Sequence, residues 1–205
     1  MKNKPWYPVV YMFIVTAFFS FIVIGFAEFT EERVKSNERI AFERSVLEVF
    51  DLAENVKAGQ IHEKFVENIR QPREGSAGAY IYEEDGRLEG YAVEIAGKGY
   101  WAPIRGIVGV SAETMKITGI SFFEQNETPG LGAEILSESF RRQFEGIALS
   151  AGRKPVGIEP VGTKLGENDV HAISGATQTC TRLGKFLNED ISRWLDKMEG
   201  KADGK

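Results

Sequence analysis

Hydrophobic and polar residues follow three patterns along the chain. Residues 6–27 are mostly apolar and carry no charge, and a helix needs about 20 apolar residues to cross the hydrocarbon core of a membrane. Between residues 79 and 123, short apolar runs are separated by turn residues, which is typical of strands. From about Thr177 to Met198, apolar residues recur at helical spacing, which predicts an amphipathic helix. Together these patterns predict an α+β protein that begins with a transmembrane helix.

The charges around the first apolar run predict its orientation. Lys2 and Lys4 precede the run and glutamates follow it, so the positive-inside rule places the N-terminus in the cytoplasm. Gly25 and Ala27 have the spacing of a signal-peptide cleavage site, so cleavage after Ala27 is the alternative. The run is longer than the apolar core of most signal peptides, which favours a retained single-pass anchor surrounded by lipid. In both cases the bulk of the chain lies outside the cytoplasm, on the cell (inner) membrane.

The pattern after the anchor predicts a helical stalk and then a mainly antiparallel sheet flanked by helices. One helix is expected from Thr30 to about Arg70, with a break near Gly59 as an option. Asp85-Gly86 is a hairpin signal. Four strands of an antiparallel meander are predicted: residues 79–82, 88–95, 104–110 and 115–123.

Glycine and proline punctuate the second half of the chain. Pro129-Gly130 predicts a turn, followed by a helix over residues 133–144 and a strand over residues 156–161. The resulting division is a cytoplasmic N-terminus (1–5), a transmembrane helix (6–27), a helical stalk (28–75), an extracytoplasmic domain (76–199) and a polar tail (200–205).

Composition excludes several classes of function. The net charge of −5 argues against a nucleic-acid partner. The single cysteine, Cys180, excludes an intramolecular disulfide and an iron–sulfur cluster built by this chain alone. His62 and His171 are too far apart in sequence to form a metal-ligand pair, so no metal site is predicted. A hydrolase that uses a serine or threonine nucleophile is disfavoured because the chain lacks a Gly-x-Ser-x-Gly elbow.

The stretch from Ser174 to Thr179 carries three hydroxyl groups and leads directly into the last helix. Unpaired backbone N–H groups at a helix N-terminus form an anion site. A phosphate could be held there by amides and hydroxyls or bonded to one of the hydroxyls. A simple N-cap is the alternative interpretation.

Three separated stretches resemble the FMN-binding domain family. Residues 170–177, Val-His-Ala-Ile-Ser-Gly-Ala-Thr, resemble its covalent flavin attachment motif. Residues 127–132, Glu-Thr-Pro-Gly-Leu-Gly, resemble its signature loop, and residues 97–101, Gly-Lys-Gly-Tyr-Trp, resemble a turn of one branch. With the N-terminal span, they make nearly the whole chain similar to the C subunit of the Na⁺-translocating NADH:quinone reductase and the G subunit of the Rnf ion-translocating complex.

The resemblance implies a covalent FMN cofactor. In the family the last threonine of the motif carries FMN through a phosphoester, and here that residue is Thr177. The helix N-terminus is favourable for the remaining phosphate charge, and the hydroxyls of Ser174 and Thr179 can donate hydrogen bonds to it. The full set of cofactor-binding residues that the resemblance implies is Ser174, Gly175, Ala176, Thr179, Glu127, Thr128, Gly130, Leu131 and Trp101. We expect the Ser174 stretch and the Thr128 loop to meet at one edge of the sheet, since one FMN must touch both.

One position departs from the family motif. An aspartate usually stands three residues before the motif serine or threonine, and here this position is His171, with Asp169 two residues earlier. His171 could take the role, Asp169 could reach the site, or FMN could bind without the covalent bond.

The function implied by the resemblance is electron transfer by a membrane-anchored flavoprotein subunit of an ion-translocating oxidoreductase complex. The flavin supplies the redox chemistry, so no catalytic acid or base is expected. The implied partners are the other membrane subunits, which would translocate the ion, and a flavin transferase for maturation. Two alternatives are a non-redox assembly subunit without covalent flavin and a stand-alone FMN-binding electron carrier.

Overall fold

The computed structural model describes residues 6–150 and 154–202 of the chain, which falls into two compact units, Met1–Arg39 and Ile40–Lys205. Lys2 and Lys4, on which the predicted orientation depends, lie outside the described residues.

The first unit is formed by helix α1, which runs from Tyr7 to Glu48 and continues into the second unit. Among the described residues it is the one helix long and apolar enough to cross a membrane. Its apolar side chains, for example those of Phe13, Phe21 and Phe26, are exposed. A helix that is apolar all round suits lipid better than water, so the predicted N-terminal apolar helix is confirmed.

The predicted helix from Thr30 to Arg70 is confirmed only in part: helix α1 ends at Glu48, earlier than the optional break near Gly59, and the chain becomes helical again at Ile61. Asp51 and Asn55 adopt positive φ angles of 58° and 61°, which a continuing helix does not allow. A 3₁₀ turn, Ala58–Gln60, leads into helix α2, Ile61–Asn68, and Ile69–Arg70 form strand β1. The reason is tertiary: the second compact unit begins at Ile40, within the predicted stalk, and Val46, Leu47 and Ile61 are fully buried in its core.

A five-stranded antiparallel sheet is the centre of the second unit. Its strands pair in chain order, so the predicted meander is confirmed, with β1 as an additional edge strand. The other four strands are β2 (Tyr80–Glu84), β3 (Arg87–Lys98), β4 (Pro103–Ser111) and β5 (Ile117–Glu124).

Helices cover both faces of this sheet. On one face, Val93 and Ile95 of strand β3 belong to a core that also contains apolar residues of the last helix, α4 (Thr177–Ala202). On the other face, Ala92 and Ile107 belong to a core with the end of helix α1 and with α2. Alternation along the strands therefore serves two cores, and the α+β class is confirmed.

Glycines on three neighbouring strands make room for the turn that follows helix α1. A Cβ atom added at Gly109 would lie 2.8 Å from the Val49 Cβ atom, and one at Gly119 would lie 3.2 Å from the Val49 Cα atom. At Gly90 it would lie 2.6 Å from the Phe50 Cε1 atom. We call Gly90, Gly109 and Gly119 the glycine groove. The turn after helix α1 can reach the sheet because these three side chains are absent.

The predicted continuous helix over residues 133–144 is wrong. Three short pieces replace it: a 3₁₀ turn (Gly132–Leu136), helix α3 (Glu138–Arg141) and a second 3₁₀ turn (Arg142–Phe144). Ser137 interrupts them with extended backbone, and its hydroxyl donates a hydrogen bond to the Glu134 carbonyl at 2.7 Å. Such a local bond competes with the helical pattern.

The remaining elements lead to the last helix. Strand β6, Gly157–Glu159, lies within the strand predicted over residues 156–161 and pairs in parallel with β7, Asp169–His171. Helix α4 then begins at Thr177 as predicted and runs to Ala202, four residues beyond the predicted end and into the predicted tail.

Candidate functional site

Residues from the three sequence motifs line one cavity of about 350 Å³. The cavity lies where strands β3 and β5 end and helix α4 begins. Its lining consists of Tyr100, Trp101, Glu127, Thr128, Leu131, Gly132, Gly175, Ala176, Thr177, Gln178 and Thr179. The expectation that the Ser174 stretch and the Thr128 loop meet is therefore confirmed. We call this space the motif cavity.

The N-terminus of helix α4 opens into the motif cavity without a side-chain cap. The first backbone bond of the helix runs from the Cys180 N–H group to the Ala176 carbonyl at 3.0 Å. The N–H groups of residues 177–179 therefore lack intrahelical partners. The preceding residue, Ala176, has no side-chain acceptor, and within the described residues no side chain caps these groups. This excludes the hydroxyl N-cap that the sequence left as an alternative, and it leaves a place suited to an anion.

The three hydroxyl groups of the stretch have different environments. Thr177 is exposed, and none of the described residues accepts or donates a hydrogen bond at its hydroxyl. Ser174 is also exposed, but it lines a neighbouring cavity of about 390 Å³ that shares Gly175 and Thr177 with the motif cavity. Thr179 is buried and donates its hydroxyl proton to Glu127. Of the three hydroxyls, that of Thr177 is both accessible and located at the motif cavity.

Glu127 is a buried carboxylate that joins the signature loop to the Trp101 turn and to the first turn of helix α4. Its side chain belongs to the signature loop and is 5% exposed. One carboxylate oxygen accepts the backbone N–H of Trp101 at 3.0 Å, and the other accepts the Thr179 hydroxyl at 2.5 Å. Because both oxygens are occupied by protein donors, Glu127 holds the turn and the helix in place. The Thr179 hydroxyl is likewise used within the protein, whereas the sequence predicts that it donates to a phosphate.

Two glycines leave the room that this carboxylate needs. A Cβ atom at Gly99 would lie 2.6 Å from the Glu127 Oε1 atom, and one at Gly132 would lie 2.7 Å from the Oε2 atom. Both glycines belong to the resembling motifs. Their role is to let the backbone approach a buried polar group.

Trp101 presents an exposed aromatic surface, and a hydrogen bond orients its ring. Its side chain is 66% exposed, yet its indole N–H donates to the Thr128 hydroxyl at 3.1 Å. The Tyr100 ring meets it edge to face, with 4.9 Å between the ring centroids. Leu131 adds apolar surface on the same cavity and is 42% exposed.

The turn glycines bring the two loops together. Gly130 and Gly175 have positive φ angles of 73° and 76°, a region that favours glycine. A Cβ atom at Gly175 would lie 2.9 Å from the Leu131 Cδ2 atom. Gly130 shapes the loop but does not line the motif cavity.

Some lining residues were absent from the predicted set. Tyr100, Gly132 and Gln178 line the cavity, and all three lie within or beside the resembling motifs, where this signal could have identified them. Arg182 does not line the cavity but contacts the Gly99–Tyr100 turn beside it, and no sequence motif pointed to it. Its guanidinium donates to the Gly99 carbonyl at 3.1 Å and lies 5.8 Å from the Tyr100 ring centroid.

His171 forms hydrogen bonds through its backbone, and Asp169 forms one through its side chain. The side chain of Gln143 accepts the His171 N–H at 2.8 Å and donates to its carbonyl at 3.4 Å, so the end of strand β7 is held through its backbone. Asp169 accepts the N–H of Gly166 at 2.8 Å within its own loop. Neither residue lines the motif cavity or the cavity beside it.

Cys180 is a packing residue of helix α4. It is buried, and its sulfur accepts the N–H of Ile173 at 3.3 Å. Burial raises the pKa of the thiol, while this hydrogen bond acts in the opposite direction.

Comparisons with known proteins show which family and which proteins this chain resembles. Residues 99–192 match the model of the family described as FMN-binding domain. The C subunit of the Na(+)-translocating NADH-quinone reductase from Vibrio alginolyticus is 31% identical over 162 residues, which are 75% of this chain and 63% of that protein. Its counterpart from Pasteurella multocida is 32% identical over 127 residues, 60% of this chain and 47% of that protein. The chain thus spans less than two thirds of the length of these curated relatives.

A solved structure confirms the fold. The crystal structure of the C subunit of the Na(+)-translocating NADH-quinone reductase from Parabacteroides distasonis superposes with a TM-score of 0.70 and 25% identity. The match covers 82% of this chain and 96% of that one.

The motif cavity suits the group that the family binds. Its volume lies in the range of ligand pockets, roughly 300–1,000 Å³. Trp101 and Leu131 offer exposed apolar surface to a planar ring, and the uncapped N–H groups of residues 177–179 offer donors to a phosphate. Residues 99–192 thus match the FMN-binding domain family, and the chain is similar to the C subunit of the Na⁺-translocating NADH-quinone reductase.

Proposed function

We propose that this protein carries FMN covalently on Thr177 and passes electrons within an ion-translocating oxidoreductase complex of the NADH:quinone reductase or Rnf type. The observation that carries the proposal is the position of the Thr177 hydroxyl. It is exposed, it has no hydrogen-bond partner among the described residues, and it stands at the uncapped N-terminus of helix α4. A phosphoester formed there keeps one negative charge beside the positive end of the helix.

The chain's own residues have distinct roles in this proposal. The backbone N–H groups of residues 177–179 hold the phosphate. Trp101, Leu131 and Thr128 contact the ring system, since they line the same cavity. Bound FMN supplies the redox chemistry by taking up and releasing one or two electrons. No acid or base residue of the chain is needed for that exchange.

The membrane anchor and the partners belong to the same proposal. Helix α1 holds the protein in the membrane through residues 6–27, and the positive-inside rule places the FMN-binding domain outside the cytoplasm. The other redox subunits deliver and accept the electrons, and a flavin transferase attaches the cofactor. A reporter fused after the domain, active on one side of the membrane only, tests the orientation.

Attachment is tested by coexpression with a flavin transferase and intact-protein mass spectrometry. The wild-type protein should gain the mass of FMN less one water, together with flavin absorbance. Thr177→Ala should lose both, because the variant lacks the oxygen that forms the bond. Thr177→Ser keeps a hydroxyl and is the conservative variant.

Thr181→Ala is the matched control, because it removes an exposed hydroxyl of helix α4 that lies four residues later, outside the motif. It should retain the added mass. A wild-type protein without added mass, or a Thr177→Ala variant with it, would contradict the proposal.

A further inference from the structure

Glu127 has no function of its own in the proposal above, although its carboxylate lines the motif cavity. Both oxygens accept hydrogen bonds, one from the Trp101 N–H and one from the Thr179 hydroxyl. This is the pattern of an ionised carboxylate, which has acceptors and no donor. A negative charge is therefore held at one wall of the cavity.

Hydrogen bonds, and not an ion pair, compensate this charge. In the part of the chain that the structure describes, no lysine, arginine or histidine forms an ion pair with Glu127. Arg182 is on the same side but donates to the Gly99 carbonyl. Compensation comes from the two hydrogen bonds and from the positive end of helix α4, which Thr179 connects to the carboxylate.

Because Glu127 is buried, its charge acts strongly on groups in the adjoining cavity. Glu127 is 5% exposed, so water screens it less than it screens a surface carboxylate. Its two oxygens are positioned by the hydrogen bonds from Trp101 and Thr179, and Gly99 and Gly132 leave the space that they occupy. The protein thus presents a constant negative potential to whatever occupies the cavity.

We propose that Glu127 is a redox-tuning residue: its fixed negative charge lowers the midpoint potential of the flavin in the motif cavity. This inference rests on the proposed function. Reduction adds electrons to the ring, and a neighbouring negative charge disfavours the electron-rich form. Glu127 acts through this field and through the two groups that it positions.

The test replaces the charge while keeping the shape. In Glu127→Gln, the amide oxygen can accept the Trp101 N–H and the amide NH₂ can donate to the Thr179 oxygen. Flavin content should match that of the wild type, and the midpoint potential, measured by spectroelectrochemistry of the purified full chain, should rise. An unchanged or lower potential at normal flavin content would overturn the inference.

Two further variants separate charge from structure. Glu124→Gln removes the same charge from a partly exposed side chain that is paired with Arg105 at 3.4 Å, and it should leave the potential unchanged. Thr179→Val keeps the Glu127 charge and removes one of its hydrogen bonds, so its potential should equal or fall below that of the wild type. A rise in Thr179→Val equal to that in Glu127→Gln would show that structural disturbance, and not charge, moves the potential.

A second arm applies if Thr177 proves not to carry FMN. Free riboflavin, which lacks the phosphate, is then titrated in its oxidised and reduced forms into the wild-type chain and Glu127→Gln. The inference expects the ratio of reduced to oxidised affinity to increase in the variant. An unchanged ratio, or no binding of either form, would overturn it, while the mass measurement above separately reports the failure of covalent attachment.

Discussion

At two places in this domain, glycine lets other atoms lie close to the backbone, and the two places differ in the type of atom that lies there. In the glycine groove, the missing side chains of Gly90, Gly109 and Gly119 let the turn after helix α1 lie on the sheet. At the motif cavity, Gly99 and Gly132 make room for a carboxylate and a hydroxyl. The first place is filled by backbone atoms, apolar side chains and the Thr118 hydroxyl, whereas the second holds a carboxylate and a hydroxyl beside an open cavity.

Because of this difference, the glycine groove matters for the stability of the fold and the motif cavity matters for the cofactor site. Groove atoms such as the Val49 backbone cannot move without moving helix α1 or the sheet, and closely packed interiors tolerate added atoms poorly. Around Gly132 the nearest atoms are the Thr179 hydroxyl oxygen and the Oε2 and Cβ atoms of Glu127. The two oxygens can rotate away, whereas the Cβ atom moves only with its backbone. We therefore expect changes in the groove to reduce stability and changes at the cavity to alter the flavin.

The largest effect is expected for Gly109→Ala. The new Cβ atom would lie 2.3 Å from the Thr118 hydroxyl oxygen and 2.8 Å from the Val49 carbonyl oxygen. Overpacking of this kind should lower the free energy of unfolding by about 1–3 kcal/mol, as measured by chemical denaturation of the detergent-solubilised chain. Gly59→Ala is the control, because nothing lies within 4 Å of its Cβ position, and it should change stability by no more than about 0.5 kcal/mol. Equal losses of unfolding free energy in both variants would show that the glycine groove is not closely packed.

The next effect is expected for Thr118→Val, which keeps the shape of the groove and removes a hydrogen bond. The Thr118 hydroxyl donates to the Val49 carbonyl at 2.6 Å. Its loss should cost about 0.5–1.5 kcal/mol, again by denaturation, with flavin content unchanged. If Thr118→Val lost flavin without losing stability, the separation between groove and cavity would be wrong.

A smaller effect on stability is expected for Gly132→Ala, with a visible effect on the flavin. The added Cβ atom would lie 2.6 Å from the Thr179 hydroxyl oxygen and 2.7 Å from the Glu127 Oε2 atom. The two oxygens can rotate away, but the Glu127 Cβ atom at 2.9 Å cannot, so the cost should be about 1 kcal/mol, the low end of the range for overpacking. Their hydrogen bond would break and disturb the first turn of helix α4, so the ratio of flavin to protein absorbance should fall. Unchanged flavin with a large loss of stability would reverse our expectation.

The smallest effect is expected for alkylation of Cys180, which lies in neither the glycine groove nor the lining of the motif cavity. Burial raises the pKa of its thiol, so at a given pH less of it is the reactive thiolate than in an exposed cysteine. Alkylation by iodoacetamide should be slow in the folded protein, faster as the pH rises, and fast after unfolding. Rapid alkylation of the folded protein at neutral pH would show that helix α4 opens near its start.

Local patterns predicted the strands well and long helices poorly. The alternating runs and the Asp85-Gly86 turn act over a few residues, and β2 to β5 formed where they indicated. The helix predicted from Thr30 to Arg70 is divided in the structure, because its apolar positions are shared among helix α1, helix α2 and strand β1. Helical periodicity does not reveal where the chain turns back onto a sheet.

For the site, the residue types were predictable but their partners were not. Resemblance to the family motifs identified most of the cavity lining, from Trp101 to Thr179, while Ser174 and Gly130 lie beside the cavity. The predicted roles of Glu127 and Thr179 changed, because these residues bond to each other. They are 52 residues apart, a separation over which no local pattern carries information.

The sequence by itself determined the apolar N-terminal helix, the order of the strands in the meander and the start of helix α4 at Thr177. Each of these depends on propensities and periodicities that act over a few residues. Only the tertiary structure decided where helix α1 ends and that Glu127 joins the Trp101 turn to the N-terminus of helix α4. The physical reason is that packing and buried hydrogen bonds unite residues far apart in the chain, and these contacts outweigh local preference.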